Sequence, residues 1–198
     1  MTRTVGIVLY PDVEELDFVG PLEVLGQMAM LDREWKVVTI AESGGVVNAT
    51  HGLKATVDHS FDDAPELDVI LVPGGLGTRQ AIENPRLVEF VRQAGATATY
   101  VTSVCTGALI LHRAGFLTGK RATTHWGAIE LLRGLGDVEI VNERFVQDGN
   151  VITSAGVSAG IDMALYLVSL LKDDNTAKNV QKMMEYYPQP PVFAEAKA

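Results

Sequence analysis

Short, continuous hydrophobic runs alternate with longer stretches of helical periodicity along the chain. Val5–Tyr10 (VGIVLY), Trp35–Ala41 (WKVVTIA), Leu67–Val72 (LDVILV) and the segment around Tyr100 and Val101 are apolar and β-prone at consecutive positions. That is the pattern of strands buried on both faces of a parallel sheet. Between them lie helical patterns. The first starts near Val13 and sets Leu16, Val19, Leu22, Leu25 and Met28 at helical spacing. Gly20-Pro21 is expected to interrupt it, giving a short first turn, a kink and a helix restarted at Pro21. Val46–Val57, with Asn48 to Gly52 between β-prone residues, predicts a small hairpin. Thr78–Ile82 and Leu87–Ala94 read as helix, Pro85 opening the second piece.

Thr99–Gly115 (TYVTSVCTGALILHRAG) goes from strand to helix with no spacer, and Cys105 stands at the turn. Farther on, Arg121–Thr124 reads as a short extended piece and Gly127–Leu132 as helix. Val138–Val141, Arg144–Gln147 and Val151–Thr153 read as strands, with a tight turn at Asp148-Gly149. Gly160–Leu171 is the most apolar helix, too short and too polar at Asp162 for a bilayer span. Asp173–Tyr186 predicts a last helix. Alternation of strand and helix with short connections gives an α/β fold, a parallel sheet with helices on both faces. Residues 1–187 are expected to form one such domain, and 188–198 a proline-rich extended tail.

Charge and cysteine content narrow the chemistry. Lys plus Arg total 16 and Asp plus Glu 25, a formal charge of −9. An acidic chain is not built for nucleic acid or for anionic membrane surfaces, both of which select basic patches. One cysteine permits no internal disulfide and no zinc cluster. With no signal peptide or spanning segment in view, a reducing cytoplasm is the expected location.

Sites in doubly wound sheets lie at the carboxyl ends of strands. The Pro11–Asp17 loop, Gly74-Gly75 and Cys105 each follow a strand. Cys105 admits two readings. At a nucleophile elbow it would be thrust above the sheet beside helix N–H groups, which would lower its pKa. As a lone buried thiol it would be a small hydrophobe. Asp17 lies in an apolar setting (ELDFVGPLEVL). It is either a carboxyl held neutral in a pocket, fit for general acid work, or a solvated helix-surface aspartate. The N–H groups of Gly75 and Thr106 are candidates for an anion hole, although a glycine ending a strand is also ordinary turn chemistry. His125 reads as a helix-entry or packing histidine rather than a base. His51 and His59 are expected to be exposed, and His112 to point away from the helix mouth.

PGG (73–75), VTSVCTGALIL (101–111), LTGKRATTHW (117–126) and SAGID (158–162) together resemble the ThiJ/PfpI superfamily. Within it, LDFVGPLEVL, SVCTG and ATTHW are most similar to the isocyanide hydratases. The likeness covers nearly all of the chain before the proline-rich tail. It implies a flavodoxin-like sandwich related to class I glutamine amidotransferases. It implies Cys105 as nucleophile, Asp17 as acidic partner and Thr106 bordering the reacting atom. The implied reaction converts a small apolar isocyanide and water to an N-substituted formamide, with no metal or organic cofactor, in a homodimer. Peptidase-like members carry His directly after the cysteine, where this chain has Thr106. Glyoxalase-like and deglycase-like members use Glu at the place of Asp17. Regulators with the same strings add a helix-turn-helix half, which this acidic chain, ending at Ala198, is expected to lack. A ligand or redox sensor without turnover is the rival from another class, since an exposed low-pKa thiol oxidises readily, and a hydrolase or glyoxalase-like enzyme on the same scaffold is a third reading.

Overall fold

The apolar runs become the strands of a seven-stranded sheet in the computed structural model, which describes residues 2–188. In chain order the first elements are β1 (Arg3–Val8), α1 (Glu15–Leu31), β2 (Trp35–Ala41), the hairpin β3 (Gly45–Asn48) and β4 (Lys54–Val57), and β5 (His59–Ser60). Then come β6 (Val69–Val72), α2 (Thr78–Ala81), α3 (Pro85–Thr97), β7 (Tyr100–Val104) and α4 (Gly107–Arg113). A 3-10 turn at Trp126–Ala128 follows β8 (Lys120–Ala122) and leads into α5 (Ile129–Gly134). The rest is β9 (Val138–Ile140), β10 (Phe145–Asp148), β11 (Val151–Ser154), α6 (Ala159–Leu171) and α7 (Asp174–Met183).

The main sheet has the order β10-β11-β7-β6-β1-β2-β5, parallel except where β10 meets β11. Helices α1, α6 and α7 pack together on one face, and α3 and α4 on the other. The fold is thus the expected α/β sandwich. The chain leaves β1 toward β2 and later returns to β6 on the opposite side of β1. That reversal is a topological switch point, where ligand sites form in such sheets.

The break expected at Gly20-Pro21 is absent: α1 is one helix of 17 residues with Pro21 inside it. Proline lacks the N–H that would bond the carbonyl of Asp17, four residues back. Tertiary contact outweighs that loss. A Cβ on Gly20 would come within 2.9 Å of Ile161 Cγ1, and one on Gly160 within 3.3 Å of Pro21 Cγ. The two helices therefore cross closely through their small residues. The last helix also differs, ending at Met183 rather than Tyr186. Beyond Pro188, the expected tail lies outside the described residues. Among the described residues, no helix is long and apolar enough to cross a membrane.

Candidate active site

The loops at the carboxyl ends of β1 and β6 are stitched together by backbone, and the Thr106 side chain ties the end of β7 to them. Val13 and Gly75 form an isolated bridge, Glu14 N–H donates to the Gly74 carbonyl at 2.9 Å, and Gly77 N–H to the Asp12 carbonyl at 3.0 Å. On this base stands Cys105, directly after β7, with φ +56. A non-glycine residue in the left-handed region carries a backbone cost, retained where surrounding bonds over-determine it. Those bonds are present. Cys105 N–H donates to the carbonyls of Ser154 and Ala155 at 3.0 and 3.1 Å, and its own carbonyl accepts from Thr124 Oγ1 at 2.8 Å. The elbow exists, and the thiol is largely buried at its tip, 6 % exposed.

Asp17, in the first turn of α1, is fully buried, which removes the solvated-surface reading. Its Oδ2 accepts from Gly74 N–H at 2.9 Å, and its Oδ1 has no hydrogen-bond partner among the described residues. Desolvation pushes the carboxyl up to about 7, against the pull of Gly74 N–H and of the neighbouring Cys105. The expected lowering of the thiol does not occur. Burial, then the charge of Asp17, pushes Cys105 up to about 12, outweighing the Thr106 N–H and the Thr106 side chain, both of which favour the thiolate. The helix behind it, α4, has only seven residues, so its dipole is short. Two groups that each resist ionisation stand side by side, and the second negative charge is the one excluded.

Gly74 is the residue the sequence left unassigned. A Cβ there would lie 2.5 Å from Thr106 N and Oγ1 and 3.0 Å from Asp17 Oδ2, so only glycine lets the three strand ends close. The PGG string signalled tight approach without telling which glycine bonds the carboxylate. Gly75 N–H is engaged with Thr106 Oγ1 at 3.0 Å rather than left free to bind an anion. Thr106 N–H is directed at the Cys105 sulfur.

A cavity of about 270 Å³ opens over Cys105. Gly75 and Thr106 line it near the sulfur, and Leu76, Trp126, Ala128 and Val157 give it an apolar wall. Trp126, 81 % exposed, stands at its mouth. Glu14 and Arg79 supply the polar side. His125 also lines it, with Nδ1 accepting from Gly127 N–H at 3.1 Å and its ring packed where a Cβ on Gly156 would sit. It is the helix-entry histidine expected. His51 is exposed, its Nδ1 bonded to Glu15 Oε2 at 2.8 Å, whereas His59, expected exposed, is half-buried on the edge strand β5. His112 binds the Gly136 carbonyl at 2.9 Å.

The profile of the DJ-1/PfpI family matches residues 3–170. An isonitrile hydratase of Pseudomonas putida is 43 % identical over 193 residues, covering 96 % of this chain and 82 % of that protein. The HTH-type transcriptional regulator CdhR of Pseudomonas aeruginosa is 30 % identical over 173 residues, covering 85 % of this chain. The matched part is about half, 51 %, of that regulator's length. The crystal structure of a ThiJ/PfpI family protein from Pseudomonas syringae superimposes with a TM-score of 0.90 at 36 % identity. That superposition covers 97 % of this chain and 78 % of the other.

Proposed function

The chain belongs to the DJ-1/PfpI family, and we propose that within it the protein is an isocyanide hydratase-like lyase. One observation carries the reading: a fully buried Asp17, lifted to about 7, beside a thiol at the floor of a small, apolar-walled cavity. The similar isonitrile hydratase supports it.

An isocyanide carbon must gain both a nucleophile and a proton. Asp17 as carboxylate takes the thiol proton while sulfur bonds the carbon, then delivers that proton to the same carbon. R–NC and HS–Cys105 become R–N=CH–S–Cys105, a thioimidate, and no free thiolate accumulates. Thr106 N–H offsets the charge on sulfur during the step. Asp17, again a carboxylate, draws a proton from water as the water oxygen bonds the thioimidate carbon. Nitrogen receives that proton, the C–S bond breaks, and the hydroxyl proton returns to sulfur. The product is R–NH–CHO, and Cys105 leaves as thiol. Asp17, Cys105 and Thr106 are the catalytic groups. Gly75 and Thr106 bound the substrate end of the cavity, and Trp126 and Leu76 cover R. Protein residues account for every proton transferred in this scheme.

The reading extends to a cytoplasmic location and a homodimer, for which exposed Leu16 and Val19 on α1 offer an apolar face. Light scattering that gives a monomer mass at micromolar concentration removes the dimer. The main test is formamide production from an alkyl isocyanide by wild type and by Cys105→Ser, with methylglyoxal beside it. Formamide from wild type alone supports the reading. Turnover of methylglyoxal without isocyanide, or binding without turnover as in a sensor, ends it.

A further inference from the structure

Helix α2 brings one charged residue to the cavity over Cys105. Its buried side is anchored: Thr78 is fully buried, with its hydroxyl 2.8 Å from that of Thr106, and Ala81 is buried at the far end. Between them Arg79 is exposed and lines the cavity. Six of the nine arginines have a carboxylate within 4.0 Å, and Arg3 lies over the Trp35 ring. Arg33 and Arg79 have neither among the described residues, and of the two it is Arg79 that stands at the site. The other ionisable groups there do not cancel its charge. Glu14 is turned to His51, whose Nδ1 lies 3.6 Å from it. His125 accepts a hydrogen bond at Nδ1, which makes it a neutral ring. Asp17 is fully buried and bonded to Gly74. The chain as a whole carries −9, but fields fade within about 8 Å at physiological salt. A molecule entering this cavity therefore responds to the charges on its wall.

We infer that Arg79 is a specificity residue, and that the molecule seated over Cys105 carries a carboxylate at the end remote from its reacting atom. A guanidinium presents parallel N–H donors that match the two oxygens of a carboxylate. The pairing also follows from solvation. An exposed arginine stays hydrated while the site is empty, whereas a carboxylate drawn against Trp126 and Leu76 loses water and needs a partner. Resting on the hydratase reading for the reacting group, the substrate is an isocyanide whose R is a short hydrocarbon ending in a carboxylate. The reaction changes the isocyano carbon and leaves the carboxylate as it was. Arg79 therefore holds substrate and transition state alike, and its contribution falls on KM rather than on kcat.

Cys105 itself can report the preference. Iodoacetate and iodoacetamide bring the same carbon to sulfur and differ by one charge, and the ratio of their rates cancels any change in thiolate fraction. Arg79→Gln should lower the iodoacetate-to-iodoacetamide ratio about tenfold, the scale of one hydrogen bond to a charged group. Arg79→Lys should retain most of the ratio, and the loss should shrink at about 1 M salt, where fields reach only about 3 Å. An unchanged ratio in Arg79→Gln overturns the inference, whatever the protein turns over. Isocyanoacetate and its methyl ester form the matching pair in turnover. Arg79→Gln should raise KM for isocyanoacetate about tenfold and leave KM for the ester within about twofold. Equal losses on acid and ester would make Arg79 a structural residue and overturn the inference. If neither isocyanide reacts in wild type while the alkylation ratio falls as expected, the hydratase reading fails and the carboxylate site stands.

Discussion

Two cavities open at the carboxyl ends of the strands, and the larger is the plainer one. It holds about 370 Å³ between the ends of β1 and β2, the β3–β4 hairpin and the start of α3, over a floor that includes Leu9, Ala41, Val47 and Leu87. Its charged groups are at the rim and satisfied by one another. Glu42 accepts from Asn84 Nδ2 at 2.6 Å and lies 3.8 Å from Arg86, which also bonds Asp62. The cavity over Cys105 is smaller, but beside it a carboxyl with no exposure has one oxygen without a partner among the described residues. Burying a polar group without full compensation lowers stability, and such groups persist where chemistry uses them. Size separates these two cavities poorly; desolvated, under-satisfied chemistry separates them well.

The sharpest way to break that contrast is Cys105→Ala, which should reduce isocyanide turnover to background while leaving the larger cleft intact. Residual formamide within tenfold of wild type would move the chemistry elsewhere. Asp17→Asn should lower turnover by roughly 10²–10⁴, the range for a positioned acid or base. If thioimidate hydrolysis suffers more, intact mass should show protein plus one isocyanide.

The same substitution should raise stability. Asp17 is pushed up from 3.8 to about 7, so between those values the folded state binds more protons than the unfolded one. Unfolding free energy therefore falls as pH rises through that window, and the penalty is complete above about 7. Asp17→Asn should raise Tm at pH 8, by about 2–4 °C per kcal/mol relieved for a chain of this size. It should have no such effect at pH 4. Equal Tm at both pH values would return Asp17 to an unperturbed carboxylate.

In wild type, kcat/KM should rise with pH to a plateau, with a midpoint of about 7, because the first step starts from Asp17 carboxylate beside the protonated thiol. A profile that falls through that point would mean the acid form starts the reaction. Trp126→Ala should raise KM for a bulky aryl isocyanide about 10-fold, the scale of lost apolar contact in a pocket, and for methyl isocyanide far less. Equal effects on both would place the indole outside the R pocket. Smallest of all, Glu42→Gln in the larger cleft should leave turnover within about twofold, as surface changes away from a site do. A large loss there would end the distinction between the cavities.

Hydrophobic patterning was enough for the architecture because burial on both faces of β1, β6 and β7 leaves an unbroken apolar signature that few other folds produce. Cys105 and Asp17 stood out because each is a reactive group inside an apolar run, a local property of the chain. Three things were decided by tertiary structure. Pro21 remains helical because α6 presents Gly160 at the crossing, a partner far along the chain. Gly74 rather than Gly75 bonds Asp17, because that hydrogen bond depends on where two separate strands end. The thiol is pushed up rather than down because desolvation and the charge of a residue 88 positions away outweigh the local helix terminus (105 − 17 = 88). Ionisation is a property of the surroundings of an atom, and those surroundings come into being when the strand ends meet.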